Sequence, residues 1–349
     1  MGNQVTYTYA QLEKFCMAVM AKYDVSEADA KVMADSLLFA DMRNVSSHGI
    51  VRLPLYMSKV DSGIMNIKAT MPYLKEQGAT ALLDAQNGLG QLAGYKGMVK
   101  AMELGKKYGI GMCAVRESNH FGTGAWFSMI AADQGMIGIA MANASPAIAP
   151  FGTTTPFLGT NPLSIAVPAG KTHKPIVLDM AMSTVARGKI RLSAMKGEKI
   201  PLDWGLDVSG NPTDDPNEAL KGSLVAIGGV KGSALSLIVD LLCGILTSTG
   251  LTGDTKNITD TSGPSHTGHA FIAINIANFI DLDEFGASVD TVIDKIKALP
   301  PRFEGGKIYM AGEIEYGLMD ARKNEGIPLD ESVIASLNQL ADKVGAPKL

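Results

Sequence analysis

The hydrophobic and polar positions along the chain fall into distinct textures. In residues 8–43, Leu12, Phe15, Val19 and Met20, and then Met33, Leu37 and Ala40, recur at the three-and-four spacing of an amphipathic helix. Thr8 with Gln11 and Ser26 with Asp29 read as capping pairs at two helix starts, where a hydroxyl can satisfy a free N–H group. The pattern predicts a third helix from Ser46 or Ser47 to about Lys59, so that the first sixty or so residues make a small helical unit. From about residue 70 the chain turns to glycine-punctuated α/β texture. Residues 79–85, 109–117, 136–144, 162–170, 175–181 and 269–279 read as strands, and 90–109, 125–135 and 233–249 as helices. A Thr- and Gly-rich stretch, 250–268, reads as a mobile loop, and the charged tail 280–349 as mainly helical. No internal repeat is visible.

Composition narrows the function classes. Nearly half of the 349 residues are hydrophobic (46%), which supplies a sizeable core and excludes global disorder. With 31 basic against 35 acidic residues and no basic run, nucleic acid is not an expected partner, whereas a small anion needs only one or two placed cations. Cys16, Cys113 and Cys243 are widely spaced, which fits reduced thiols in the cytoplasm rather than a disulfide frame. The amino-terminal residues lack the texture of a signal peptide. The most apolar stretch, 234–246, is too short to span a bilayer, so no membrane association is expected.

Four constellations carry candidate chemistry. In Ser47-His48-Gly49-Ile50-Val51-Arg52, a helix starting at Ser46 or Ser47 would put His48 and Arg52 on one face, four residues apart. Reducing a 2-oxo acid requires a proton at the carbonyl oxygen, which an imidazole can deliver, and a forked cation for the carboxylate, which a guanidinium provides. A packed histidine beside a surface arginine is the bland alternative. Ser118-Asn119-His120-Phe121-Gly122-Thr123-Gly124 lies at a strand's carboxyl end before a helix, where α/β proteins place sites. Thr160-Asn161-Pro162 and the strand end Asp179-Met180-Ala181, followed by Arg187-Gly188-Lys189, could bind a ligand or simply cap and turn. Gly228-Gly229-Val230-Lys231-Gly232 opens a helix as phosphate-cradling loops do, but without P-loop spacing. Residues 88–94 miss the GxGxxG fingerprint by one, so a nucleotide would not sit on a Rossmann turn. His266 and His269 lack further clustered ligands, and no metal site is expected.

Taken in order, these stretches resemble the malate/L-lactate dehydrogenase family of the non-Rossmann type. The likeness runs through residues 47–53, 118–124, 159–163, 178–190, 210–216, 228–232, 312–315 and 324–329. It implies a homodimeric α/β protein: a helical domain from both chain ends (1–70 with 280–349) and an unusual mixed-sheet domain (71–279) for NAD or NADP. By motif match, His48 would donate the proton and His120 would line the same cleft as an alternative acid/base. Arg52, with Ser47 and Thr160, would bind the 2-oxo or 2-hydroxy acid. The cofactor would meet Asn143, Ala144, Ser145, Asp179, Met180, Ala181, Lys189, Lys231, Gly232, Gly312 and Glu313. The chain departs from the family pattern at Ala144, at Ser233 and Ala234, at Ala311 and in the 250–268 loop, which bears on cofactor affinity and substrate choice. Against the dehydrogenase reading stand a cofactor-free hydratase or lyase using the two histidines, and a non-catalytic carboxylate binder.

Overall fold

The computed structural model describes residues 4–250 and 253–349; positions 251 and 252, inside the expected mobile loop, lie outside the described residues. The chain opens with β1 (Gln4–Tyr7), α1 (Tyr9–Ala21), α2 (Glu27–Met42) and α3 (Leu53–Asp61). The sheet region follows with β2 (Tyr73–Gln77), β3 (Thr80–Asp84), α4 (Gly90–Tyr108), β4 (Ile110–Ser118), α5 (Gly124–Ala132), β5 (Met136–Ala142), β6 (Leu163–Val167) and β7 (Ile176–Met180). Then come α6 (Arg187–Lys196), β8 (Gly205–Leu206), α7 (Pro216–Lys221), β9 (Ser223–Leu224), α8 (Val230–Asp240) and β10 (Thr267–Asn275). The tail holds α9 (Leu282–Lys297), α10 (Glu313–Glu325), β11 (Ile327–Asp330) and α11 (Glu331–Val344).

Local chemistry explains the boundaries. Thr8 and Gln11 form a reciprocal capping box at the start of α1, and Ser26 accepts from Asp29 N–H at the start of α2. Gly109, at φ +89°, turns the chain out of α4 and into β4. Seven strands make one mixed sheet in the order β2-β3-β4-β10-β5-β6-β7, in which only β3 and β4 run parallel. Among the described residues such a sheet has no run of parallel βαβ units, and so no Rossmann arrangement, in line with the missing fingerprint. The alternation of β10 serves two cores. Phe271 and Ala273 enter the larger core with α4, while Ala270 and Ile272 face a second one with Cys243.

Three features differ from the sequence expectation. The chain ends meet in a short antiparallel pair, β1 with β11, which the reading of a small helical unit and a mainly helical tail did not include. Helix α8 begins at Val230 and passes into a π-helical turn, Leu241–Ile245, in place of one helix over 233–249. The third helix does not start at Ser46 or Ser47. Residues Ser46–His48 and Ile50–Arg52 form two 3₁₀ turns around Gly49, and α3 starts only at Leu53.

Candidate active site

The two turns around Gly49 have a visible cause. Asp41, buried on α2, accepts from Ile50 N–H at 2.8 Å, and a Cβ on Gly49 would lie 1.9 Å from its Oδ1. Burial pushes the Asp41 carboxyl up to about 7, against the pull of the Ile50 N–H and the Arg322 charge. The turns replace the expected helical i,i+4 relation of His48 and Arg52. Arg52 folds back so that its Nε donates to the Ser47 carbonyl at 2.5 Å, and Ser47 Oγ lies 2.9 Å from His48 Nδ1. Burial first, and then the Arg52 charge, brings His48 down to about 4.

His120 comes to the same place from the end of β4. Its ring stacks on His48 with centroids 5.2 Å apart and planes 29° apart. The loop is held by the buried Asn119, whose Nδ2 donates to the carbonyls of Asn87 and Gly88 and to Asn87 Oδ1. Tyr56, fully buried on α3, puts its hydroxyl 2.7 Å from His120 Nδ1, and Gly122 N–H approaches the same nitrogen at 3.4 Å. With Nδ1 engaged, Nε2 is the nitrogen left to exchange a proton. Burial pushes the His120 pKa well below the ordinary imidazole value, with His48, Arg52, His269 and Lys59 adding to it. Tyr56 was not singled out in the sequence, although it stands one helical turn after Arg52.

The expected cofactor residues are tied together by a chain of contacts. Asp179, at the end of β7, accepts from Ala125 N–H at 3.0 Å, which joins it to the loop carrying His120. The residue is exposed, yet desolvation by the surrounding protein pushes the carboxyl up to about 6 despite Ala125 and Arg43. Val177 N–H donates to the Ala311 carbonyl, and Gly312, at φ +86°, sits so close that a Cβ would meet Val177 Cβ at 2.9 Å. Asn161 is a strut: Oδ1 accepts from Ala144 N–H, while Nδ2 donates to the Ser236 carbonyl and hydroxyl on α8. Thr160 contributes its carbonyl to Met182 N–H, and Met182 accepts from Ile227 N–H. Gly232 packs so tightly on the Ile227 carbonyl that a Cβ would stand 2.0 Å from it.

Asn143 is buried and accepts from Gly268 N–H, whereas Lys231, at the start of α8, is exposed. Met180 and Ala181 continue from Asp179, partly accessible. Lys189 stands exposed on α6, while Arg187 is committed to the Leu220 carbonyl. Glu313 is engaged elsewhere: both oxygens take Lys297 Nζ at 2.7 Å, and Oε2 also accepts from Met310 N–H. Ser233, one of the departures noted above, accepts from Phe151 N–H and so braces α8.

The loop 253–266 spans the two halves of this region. Asn257 Nδ2 donates to Ser145 Oγ at 3.2 Å on the cofactor side, and His266 Nδ1 lies 3.0 Å from Glu117 Oε2 beside the His120 loop. Glu117, Asn161 and His266 all adopt positive φ, a conformation that non-glycine residues rarely hold and that clusters at functional sites. Among the described residues no group of three or more His, Cys, Asp or Glu side chains could hold a metal, and no helix is long and apolar enough to cross a membrane.

An accessible carboxylate, left-handed and close-packed glycines and an exposed lysine at a helix start suit a dinucleotide. The stacked histidines form a second group with Arg52, linked to Asp179 through the Ala125 N–H at the start of α5, just after the His120 loop. These are the kinds of group that a hydroxy acid dehydrogenase using a nicotinamide cofactor requires. The sequence model of the malate/L-lactate dehydrogenase family matches residues 7–338. A malate dehydrogenase of Pyrococcus abyssi is 38% identical over 99% of this chain and 97% of its own length. A malate/(S)-sulfolactate dehydrogenase of Methanothermus fervidus is 38% identical over 92% of each chain. The solved sulfolactate dehydrogenase of Methanocaldococcus jannaschii superposes with a TM-score of 0.93 at 37% identity, covering 98% of both chains. The chain belongs to the malate/L-lactate dehydrogenase family, and the hydratase, lyase and passive-binder readings fall away.

Proposed function

We propose that the protein reduces a small 2-oxo acid to the 2-hydroxy acid with NADH or NADPH, with Arg52 gripping the C1 carboxylate and His120 supplying the proton. The observation that carries this reading is the meeting of His120, His48, Tyr56 and the Arg52 charge at one point. The bound nicotinamide supplies the hydride; Asn143, Ala144, Ser145, Asp179, Met180, Ala181, Lys231, Gly232 and Gly312 would hold it. Lys189 is a further candidate for its phosphates, while Glu313 acts through the 310–313 turn. Ser47 and Thr160 flank the substrate.

The sequence favoured His48 as the donor; the geometry favours His120, because Tyr56 fixes its ring and leaves Nε2 free. Arg52 is one of the charges holding both imidazoles deprotonated. A substrate carboxylate paired with Arg52 cancels that charge and lets the site take up the proton it then delivers. His120→Ala should lower turnover by about a hundred- to ten-thousand-fold while nucleotide binding persists. His48→Asn should cost less. The reverse order would return the role to His48.

The carrier of the reaction is further proposed to be a cytoplasmic homodimer. Its three cysteines are free and buried, as in a reducing compartment. Leu235, Leu237, Ile238, Leu241, Ile245 and Leu246 expose apolar surface along one continuous stretch, the kind of face a second copy covers. Sedimentation should give twice the 36.7 kDa chain mass.

A further inference from the structure

Lys59 is the feature that the reaction described so far does not use. It lies on α3, three residues after Tyr56, hence on the same helical face. It is 1% exposed and among the largest fully buried side chains, yet its Nζ has no hydrogen-bond partner. An ammonium buried without a partner is costly, and long basic side chains are rarely enclosed unless an anion meets them. The opposing charge that reaches it comes from Asp260 in the 253–266 loop, and Lys256 works against it. Asp260 is itself occupied, accepting from Ser262 N–H at 2.8 Å.

Its position explains which anion is missing. Lys59 stands one helical turn from Tyr56, whose hydroxyl holds His120 Nδ1, and the charges of both Lys59 and Arg52 are felt at that imidazole. Their backbones are seven residues, two helical turns, apart, about 10 Å along a helix. Arg52 at one end takes the C1 carboxylate on the reading above. Among the described residues no side chain hydrogen-bonds the cation at the other end, and the one opposing charge that reaches it, Asp260, is already engaged.

We propose that Lys59 binds a second acid group of the substrate, so that the enzyme selects dianionic 2-oxo acids carrying a carboxylate or sulfonate on carbon 3. This rests on the 2-oxo acid reading of the site. The substrate lies between Arg52 and Lys59 with its carbonyl oxygen at His120, and the 253–266 loop closes the Lys59 end.

The test compares wild-type protein with Lys59→Met and Lys59→Gln, using NADH or NADPH and three substrates: oxaloacetate, sulfopyruvate and pyruvate. The quantity to read is the ratio of kcat/KM for each dianion to that for pyruvate, because the ratio cancels any general effect of removing a charge beside His120. The ratio should fall by about 30-fold or more in both variants, the cost of leaving one acid group without its buried partner. Circular dichroism and nucleotide titration establish that each variant is folded, and Gln serves if Met does not fold. A ratio within about threefold of wild type, with wild type active, overturns the Lys59 proposal and leaves the functional reading intact. Wild-type inactivity toward every 2-oxo acid overturns the functional reading and this one with it.

Discussion

The Tyr56 hydroxyl and His120 Nδ1 stand 2.7 Å apart although 64 residues separate them in the chain. That hydrogen bond engages Nδ1 and, on the proposed reading, leaves Nε2 to face the substrate. Tyr56→Phe keeps the ring and the packing but removes the anchor. Turnover should fall by about 10- to 100-fold, the usual consequence of losing a group that orients a functional side chain, while nucleotide affinity stays level. Unchanged turnover in steady-state assays would make Tyr56 a packing residue only.

The pH profile follows from the two lowered imidazole pKa values. His48 is brought to about 4, and His120 is also pushed well down. In the oxidative direction the histidine must be neutral to accept the hydroxyl proton, and a depressed pKa keeps it neutral into acid. The histidine limb of kcat/KM for oxidation should therefore be flat from about pH 8 down to about pH 6 and fall only below that. Reduction needs the charged ring, so its kcat/KM should decline with rising pH over the same range. An oxidative limb centred near the ordinary imidazole value contradicts the buried, cation-flanked site.

On the proposed reading Arg52 grips the substrate carboxylate through a fork, which an ammonium cannot reproduce. Arg52→Lys should raise the KM for the 2-oxo acid by at least about tenfold, with nucleotide affinity unchanged, since truncating a buried charged pair costs roughly 2–5 kcal/mol and lysine recovers part of it. Intact substrate kinetics would identify a surface charge.

Gly49 is required for a steric reason rather than for its φ. At φ −85° any residue could stand there, but a Cβ would lie 1.9 Å from Asp41 Oδ1. Gly49→Ala must displace either Asp41 or the two turns carrying His48 and Arg52. It should cost about 1–3 kcal/mol of stability, as overpacking does, and reduce turnover more than 10-fold. A variant with wild-type melting temperature and rate would show that the turns are not set by this contact.

Much of the architecture was readable because long periodic stretches carry their own signal. The helices α1, α2 and α4, their caps, and the apolar strands β3 to β7 and β10 follow the hydrophobic pattern closely. The β1–β11 pair was not readable: each strand has four residues, and their pairing across 326 positions depends on the rest of the fold. The turns at 46–52 were missed because the cause is Asp41, a residue that sequence reasoning had no reason to connect with Gly49. Asn161 looked like a free turn residue with a side chain available for ligand, yet its amide is used up bracing α8. Lys59 marks only the approximate end of a helix in the sequence, and burial without a partner is what singles it out.

The central claim is tested most directly by turnover. The protein is mixed with NADH or NADPH and a panel of 2-oxo acids that includes pyruvate, oxaloacetate and sulfopyruvate, and loss of reduced-nucleotide absorbance in the near ultraviolet is followed. The account predicts absorbance loss only when nucleotide and a 2-oxo acid are both present, together with formation of the matching 2-hydroxy acid. Substrate conversion without nucleotide, or folded protein that consumes no reduced nucleotide with any of these acids, would contradict it.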